Sequence, residues 1–147
     1  MTDVPIRLLR QGRAPDPDFL PSERLFRRAP PDALAENRPL ETAITFPDFS
    51  VNREKYSLPG DLLVDHPGFS ILAFEVRDIP PKLGADAREF TFRVEHEPME
   101  ENYAHSEVRT YCDGERARKK PPKTIRAKFR LQLAAHARIL PVSEVRL

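Results

Sequence analysis

The sequence lacks the covalent and membrane-spanning features by which many small proteins are stabilised or anchored. Cys112 is the one cysteine among 147 residues, so the chain cannot form an internal disulfide. No apolar run approaches the roughly 18 residues of a membrane-spanning helix, and the charged N-terminus lacks the apolar core of a signal peptide. These absences predict a soluble protein in a reducing compartment, and we expect that compartment to be the cytoplasm.

Phosphate-binding and catalytic motifs are absent as well. The five glycines are scattered and never take the spacing of a GxGxxG or GxxxxGK[ST] loop, and no GxSxG, HExxH or zinc-finger spacing occurs. Charge of one sign is also lacking, because 24 basic residues are balanced by 23 acidic ones, which leaves a formal net charge of +1. Nucleic-acid binding would therefore need a local cluster of cations rather than overall charge.

Proline, in contrast, is abundant near the N-terminus. Seven of the 16 prolines fall within residues 1–41, where the missing backbone donors disfavour long helices and central strands. Apolar side chains recur in the same stretch, at Ile6, Leu8, Leu9, Phe19, Leu20, Leu25 and Phe26. We expect residues 1–41 to form an extended arm that docks on the protein surface through these side chains, with partial disorder as the alternative. Residues 42–147 are expected to form a single α+β domain.

Four short segments after residue 42 have the character of strands. Residues 69–76 form the most apolar run of the chain and suit a central strand. Residues 90–96 alternate apolar and polar side chains, which is the period of a half-buried strand. Residues 43–51 and 105–111 indicate two more strands, the second of them closed by the turn signal Asp113-Gly114. The short gaps between these segments favour antiparallel hairpins.

A helix is predicted between Pro122 and Pro141, because proline suits a first helical turn and stops a helix from continuing. One arc of the helical wheel carries the apolar residues of this stretch together with a histidine: Ile125, Phe129, Leu133, His136, Ile139 and Leu140. We expect His136 to pack in the core. The predicted fold class is α+β, with an antiparallel sheet of about four short strands or a small partly open barrel, a C-terminal packed helix and the proline-rich N-terminal arm.

The densest group of titratable side chains lies at residues 96–105, whose sequence is HEPMEENYAH. Imidazole and carboxylate groups together can bind zinc or another transition metal, or perform acid–base catalysis near neutral pH. The candidate site residues are His96, Glu97, Glu100, Asn102 and His105. If His96 ends one strand and His105 begins the next, their rings can meet across the hairpin. The alternatives are a recognition surface, or a polar connection between strands in which Pro98 forces the turn.

Cations cluster in the segment that precedes and begins the predicted helix. Eight basic residues and no acidic residue fall within positions 116–130. Such a run can neutralise phosphates, and the candidate polyanion-binding residues are Lys119, Lys120, Lys123, Arg126 and Arg130. Aromatic residues for base stacking are not interleaved. A solvated helix face and a surface for an acidic protein partner are the alternatives, and the glutamates at 95–101 could also neutralise the run.

Two stretches carry a resemblance to a known group of proteins. Residues 23–31 read ERLFRRAPP, and residues 96–105 read HEPMEENYAH. The chain resembles short, uncharacterised bacterial proteins that have an RLYRR-x-PP opening and an H-[DE]-P-[LM]-x-[DE]-N-P-A-H segment, with Tyr103 standing where proline is usual. The resemblance covers about twenty residues. It implies a bacterial origin and a cytoplasmic setting, and it implies no activity.

These observations favour a small non-enzymatic binding or accessory protein that acts through a protein partner or as a homo-oligomer. The first reason is the absence of a complete catalytic constellation, and the second is the combination of an extended arm with segments of opposite charge. One alternative is a metal-dependent or acid–base enzyme that uses His96 and His105, with zinc or another transition metal in the metal-dependent form. The other is nucleic-acid binding through the basic helix face. No cofactor and no membrane contact are expected for the leading hypothesis.

Overall fold

One antiparallel sheet organises the protein, for which a computed structural model describes residues 3–31 and 39–145. The strands are β1 (Arg24–Ala29), β2 (Asp48–Arg53), β3 (Ser70–Glu75), β4 (Lys82–Ala85), β5 (Arg88–His96), β6 (His105–Cys112), β7 (Glu115–Arg116) and β8 (Arg138–Ile139). The α-helices are α1 (Pro39–Ala43), α2 (Lys123–Ala134) and α3 (Val142–Val145), and short 3-10 helices cover Ile6–Leu8, Glu54–Tyr56, Pro59–Leu63 and Val76–Asp78. Within the described ranges, no helix has the length and apolar character needed to cross a membrane.

The strands are neighbours in the order β4-β5-β6-β2-β1-β3-β8, and each of these pairs is antiparallel. The short strand β7 pairs with the end of β6, beyond the part of β6 that β2 occupies. Strands β5 and β6 are paired from Phe90 opposite Cys112 to His96 opposite Ser106. This hairpin places the connection at residues 96–105 at one end of the sheet.

The expectation of a surface arm is wrong for residues 24–29, which form the interior strand β1. Strand β1 pairs with β2 on one side and with β3 on the other, and its residues Leu25 and Phe26 are fully buried. No proline lies between Pro21 and Pro30, so the strand has a backbone donor at every position that needs one. The high proline content of residues 1–41 therefore led to a wrong prediction for this strand, which lies between Pro21 and Pro30 and contains no proline itself.

The predicted fold class is wrong as well, because the sheet has eight strands and not about four. Helix α2 is not the C-terminal element, since β8 and α3 follow it. The strands β4, β7 and β8 contain only two to four residues, which is too few to display an alternating pattern in the sequence. The strands form one eight-stranded sheet from β4 to β8, which replaces both the four-stranded sheet and the small partly open barrel of the prediction.

Helix α2 lies on one face of the sheet, which we call the core face. The helix contributes Ile125, Phe129 and Leu133, all fully buried, and the ring of Phe129 packs edge-on against that of Phe46 at 5.3 Å between centroids. The α-helix ends at Ala134, so His136 falls outside the helical period and its side chain is 61% exposed. The expectation that His136 packs in the core is therefore wrong.

The opposite face of β5 and β6 is polar, and we call it the charged face. Side chains alternate along a strand, so Phe92 and Val94 point to the core face while Arg93 and Glu95 point away from it. Farther across the sheet, the same outer side of β1 and β3 is covered by a second apolar cluster. That cluster consists of Phe26, Ile71, Ala73 and Leu140.

Candidate functional site at the 96–105 connection

The two histidines of the connection lie on opposite faces of the sheet. His96 is paired with Ser106 across the β5–β6 ladder, and residues that pair across a ladder point to the same face. His105 precedes Ser106 on β6 and therefore points to the other face. The structure thus does not bring the two imidazoles together, which removes the geometric basis for a site that would use both rings.

His96 faces inward, and both of its ring nitrogens are used within the chain. The backbone N–H of Asp16 donates to Nδ1 at 2.8 Å, so Nδ1 carries no proton and Nε2 donates to the carbonyl of Tyr103 at 2.5 Å. The ring also stacks on Tyr56, with 6° between the two planes. Burial lowers the pKa of His96 below its usual range. The neutral ring of His96 therefore holds the backbone of Asp16 and Tyr103 in place. Because both of its nitrogens take part in hydrogen bonds, it has no free lone pair for a metal.

His105 points to the charged face, where its surroundings shift its pKa in the opposite direction. Its Nδ1–H donates to the carbonyl of Glu97 at 2.9 Å, and its Nε2 lies 3.3 Å from the carboxylate of Glu107. The hydrogen bond with Glu107 raises the pKa of His105, and this effect outweighs its burial. The same Glu107 carboxylate accepts a hydrogen bond from the hydroxyl of Ser50 at 3.1 Å. His105 is therefore part of a small ion-paired network.

The connection holds the N-terminal segment of the chain, which we define as residues 5–23. The N–H of Arg10 donates to the carbonyl of Glu100 at 2.9 Å, and the N–H of Tyr103 donates to the carbonyl of Leu8 at 2.7 Å. The hydroxyl of Tyr103 donates to the carbonyl of Ala14 at 2.6 Å. The connection thus binds this segment largely through backbone groups. Proline at position 103, as in the similar bacterial sequences, would have neither the N–H nor the hydroxyl that make these contacts.

Arg53 completes this attachment from inside the protein. Its side chain is fully buried and forms two hydrogen bonds with the carboxylate of Glu23, at 3.0 and 2.9 Å. The remaining donors reach the carbonyls of Asp16 at 2.7 Å and Asp18 at 2.8 Å, and the guanidinium lies 3.8 Å from the centroid of the Phe19 ring. The sequence interpretation missed Arg53, because no local pattern distinguishes it from the other 23 lysines and arginines.

Asp16 anchors the N-terminal segment a second time. Its carboxylate accepts hydrogen bonds from the hydroxyl of Tyr56 at 2.6 Å and from the ammonium of Lys55 at 2.9 Å. These two donors lower the pKa of Asp16 well below its ordinary range. The carboxylate of Asp16 is therefore used in structure, as is its backbone N–H.

The remaining candidates of the connection have separate environments. The amide nitrogen of Asn102 donates to the side-chain oxygen of Asn52 at 2.8 Å, and the buried Asn102 Oδ1 has no hydrogen-bond partner among the described residues. Glu97 lies on the charged face and forms an ion pair with Arg109. Glu100 is exposed and contributes its carbonyl to the N-terminal segment. Met99 and Asn102 form an isolated bridge that closes the turn.

Most of the charged side chains on the charged face form ion pairs with one another. Arg109 pairs with Glu95 at 2.8 Å and with Glu97, and Glu95 also accepts a hydrogen bond from the hydroxyl of Tyr111 at 2.7 Å. Burial would lower the pKa of Arg109, but the two glutamates outweigh it and raise that pKa. The glutamates at positions 95 and 97 are thus paired with a neighbouring strand and not with the basic run at 116–130.

Metal ligands are not gathered at this connection. In the described ranges, no group of three or more histidine, cysteine, aspartate or glutamate side chains is placed to hold a metal ion. The donors of His96 and His105 are directed to backbone carbonyls and to Glu107. The arrangement of the connection therefore supports attachment of the N-terminal segment more directly than it supports metal-dependent or acid–base chemistry.

The candidate polyanion-binding residues divide into two groups. Lys119, Lys120 and Lys123 are exposed, whereas Arg126 and Arg130 are half-buried. Arg130 donates to the carbonyl of Ile44 at 2.8 Å, and its pKa is lowered by burial and by the nearby charge of Arg126. The lysines are thus available to a partner, while Arg130 contributes to the packing of α2.

Comparisons with protein families, with curated proteins and with solved structures found no match. The resemblance to the bacterial group with the H-[DE]-P-[LM] segment therefore stays a prediction.

Proposed function

We propose that the protein is a non-enzymatic binding or accessory protein that recognises an acidic segment of a partner protein through a basic surface next to α2. This basic surface consists of Arg118, Lys119, Lys120, Lys123 and Lys128. All five side chains are exposed. The observation that carries the proposal is that, in the described part of the chain, none of the five forms an ion pair, although Arg116 beside them pairs with Asp48 at 3.0 Å.

The basic surface is a local excess of charge on a nearly neutral protein. The five cations contrast with a formal net charge of +1 for the whole chain, so the remaining residues carry a net charge of −4, which is +1 minus 5. The first turn of α2 contains no acidic residue, and Lys123 at this end opposes the helix dipole at a cost of about 0.3–1 kcal/mol. An acidic partner would relieve both effects.

An exposed apolar side chain favours a protein partner over a nucleic acid. Leu131 is 75% exposed and lies three residues after Lys128, so the two are neighbours on the helix surface. Protein interfaces combine an apolar centre with a charged rim, whereas phosphate contacts need only the cations. Leu131 thus supplies the apolar centre that an acidic amphipathic segment would contact.

Two further observations support a binding role and a cytoplasmic location. The imidazole nitrogens of His96 and His105 are engaged within the chain, which leaves the basic surface as the largest unneutralised feature described. Cys112 is a lone thiol, which favours a reducing compartment. The proposed setting is therefore the cytoplasm.

The test is a titration of the protein with three labelled probes. The probes are a peptide of about 20 residues with glutamates and leucines at helical spacing, a polyglutamate peptide of equal length and a single-stranded RNA of about 20 nucleotides. We expect the glutamate–leucine peptide to bind most tightly. The variant K119E/K120E/K123E should weaken that binding about tenfold or more, since charge complementarity is inverted, and Leu131→Ser should weaken it about threefold without affecting RNA.

The matched control reverses three exposed cations that do have acidic partners. Arg77, Lys82 and Arg138 pair with Glu75, Glu89 and Glu144 respectively. R77E/K82E/R138E lowers the net charge by the same 6, from +1 to −5, and should leave peptide binding nearly unchanged. Equal weakening by both triple variants, tighter binding of RNA than of the peptide, or no binding of any probe would overturn the proposal.

A further inference from the structure

A second unneutralised feature lies on the other side of the sheet, in a cleft of about 400 Å³. Its floor is the outer side of β1, β2 and β6, at Arg28, Ser50 and His105. One wall is Leu62 of the 3-10 helix Pro59–Leu63, and the other is the 96–105 connection at Met99 and Asn102. The volume lies within the range of about 300–1,000 Å³ that small-molecule sites occupy.

Two arginines without a carboxylate partner line the cleft: Arg28 points to the outer side of β1, whereas Arg27 alternates with it and its guanidinium lies 5.9 Å from the Phe49 ring of the core cluster. Arg28 donates to the Nδ1 of His66 at 3.2 Å, and Arg27 donates to the carbonyls of Ala43 at 2.8 Å and Ser50 at 3.2 Å. In the ranges that the structure describes, neither guanidinium forms an ion pair, and no aspartate or glutamate lines the cleft. Burial lowers the pKa of both arginines; for Arg27 the nearby charge of Arg28 lowers it further, while the carboxylate of Glu107 acts in the opposite direction.

Three other half-buried or buried arginines have a carboxylate partner, whereas half-buried Arg130 donates to the carbonyl of Ile44. Arg24 pairs with Glu54 at 2.7 Å, Arg53 with Glu23 at 2.9 Å, and Arg109 with Glu95 at 2.8 Å. Desolvated charges are normally paired, because an unpaired one loses its hydration without compensation. The guanidinium of Arg28 meets a histidine ring and no carboxylate of the described residues, so an anion from outside would supply the counter-charge that Arg28 lacks.

His105 also lines the cleft, but its ring is engaged within the chain and does not attract a ligand by itself. His105 is held by Glu107, and Glu107 also accepts the hydroxyl of Ser50. This local network leaves the guanidinium of Arg28 as the polar group that a ligand would meet. The apolar side chains of Leu62 and Met99 flank it, and Met99 is 54% exposed.

We propose that this cleft binds a small organic anion whose carboxylate or phosphate meets Arg28 and whose short apolar chain contacts Leu62 and Met99. A guanidinium forms paired parallel hydrogen bonds with either kind of oxyanion, which fits both the geometry and the charge. The site is separate from the basic surface, since α2 packs on the core face and the cleft lies on the opposite side of the sheet.

The methionines of the chain provide a direct measurement. The sequence has two methionines, Met1 and Met99, and Met99 lines the cleft. In protein labelled with 13C at the methionine methyl groups, the substitution Met99→Leu assigns the Met99 signal and leaves the Met1 signal as an internal reference. The probes are hexanoate, hexyl phosphate, inorganic phosphate and, as the neutral analogue, hexan-1-ol.

We expect the Met99 signal to shift saturably with hexanoate or hexyl phosphate at about millimolar concentration, a typical affinity for so small a ligand. The Met1 signal should not follow. Hexan-1-ol should bind about tenfold more weakly or not at all, since it lacks the charge. Comparing hexanoate with hexyl phosphate identifies the oxyanion, and comparing hexyl phosphate with inorganic phosphate shows whether the apolar chain contributes.

Variants separate the role of Arg28 from effects on folding. Arg28→Gln should weaken binding about tenfold or more, and Arg28→Lys should weaken it less, because lysine keeps the charge but loses the fork of donors. Arg77→Gln, at an exposed arginine paired with Glu75, is the control and should bind as the unmodified protein does. The position of the Met99 signal without ligand reports whether each variant is folded. If Arg28→Gln does not fold, the comparison of Arg28→Lys with the unmodified protein tests the role of Arg28.

The proposal is overturned if no anion shifts the Met99 signal up to about 10 mM, well beyond the affinity expected here. It is also overturned if hexan-1-ol binds as well as the anions, or if Arg77→Gln weakens binding as much as the Arg28 variants do. The variant K119E/K120E/K123E should leave this titration unchanged, so failure of the basic-surface proposal and failure of this one are distinguishable.

Discussion

His96 and His105 stand at the two ends of one connection, yet their surroundings shift their pKa values in opposite directions. On the core face, burial lowers the pKa of His96, and hydrogen bonds with Asp16 and Tyr103 fix the neutral ring. On the charged face, Glu107 raises the pKa of His105. The difference shows that the face of the strand, and not nearness in sequence, decides what each imidazole does.

The ion pairs of two arginines, Arg53 and Arg109, also differ between the two faces, in how deeply they are buried. Arg53 is fully buried and holds the N-terminal segment through Glu23 and backbone carbonyls. Arg109 on the charged face is paired with glutamates whose side chains are 32% and 45% exposed. Buried ion pairs depend strongly on both partners, whereas partly exposed pairs are compensated by water. The N-terminal segment should therefore depend more on the core face than on the charged face.

The largest expected effect comes from Arg53→Ala. Removing the guanidinium leaves the carboxylate of Glu23, whose side chain is 7% exposed, without its main partner, which costs about 3–5 kcal/mol for a buried pair. Arg109→Ala, the matched change on the charged face, should cost about 1 kcal/mol, because its partners are partly hydrated. Denaturant unfolding monitored by circular dichroism measures both values. Equal losses for the two variants would contradict the contrast between the faces.

The alternation of apolar and polar residues in the two strands was sufficient to predict that His96 and His105 lie on opposite faces of the sheet. In residues 90–96 the apolar side chains fall at even positions, so His96 is in phase with Phe92 and Val94. In residues 105–112 the buried Val108 is also at an even position, so His105 is out of phase with it. Parity alone therefore predicts opposite faces for the two rings, once the two segments are recognised as strands.

The interior place of β1, the burial of Arg53 and the short strands β7 and β8 could not be predicted from local patterns. They depend on pairings between residues far apart in the chain. Strand β1 owes its interior place to β2 and β3, and nothing in ERLFRRAPP shows which strands these are. Arg53 meets Glu23, 30 residues earlier, so a basic residue at the end of a strand gives no sign of full burial. Strands β7 and β8 have two residues each and exist only through their partners.

An intermediate effect is expected for His96→Phe, which keeps an aromatic ring against Tyr56 and removes both hydrogen bonds. The N–H of Asp16 and the carbonyl of Tyr103 then lose their partner, at about 1–3 kcal/mol for each group that stays buried. Because the N-terminal segment is released first, trypsin should cleave after Arg7, Arg10 or Arg13 faster than in the unmodified protein. Arg77→Gln serves as the control for surface changes. Unchanged cleavage would show that His96 does not hold the segment.

The pH dependence of the unmodified protein extends this prediction. The pKa of His96 is lower in the folded than in the unfolded protein, where it is about 6.5. Its contribution to the free energy of unfolding is therefore complete above about pH 6.5 and is lost as the pH falls from there through the folded pKa. Trypsin cleavage of the N-terminal segment should accelerate over the same range, and His96→Phe should remove that dependence.

The smallest effect is expected for His105→Gln, and its pH dependence has the opposite sign. Glu107 raises the folded pKa of His105 above about 6.5, so the contribution is complete below that pH and is lost as the pH rises through the folded pKa. The pair is half-buried, which limits the loss for His105→Gln at pH 6 to about 0.5–1.5 kcal/mol. The difference in unfolding free energy between this variant and the unmodified protein should shrink as the pH rises. A difference that grows instead would mean that His105, like His96, is held neutral.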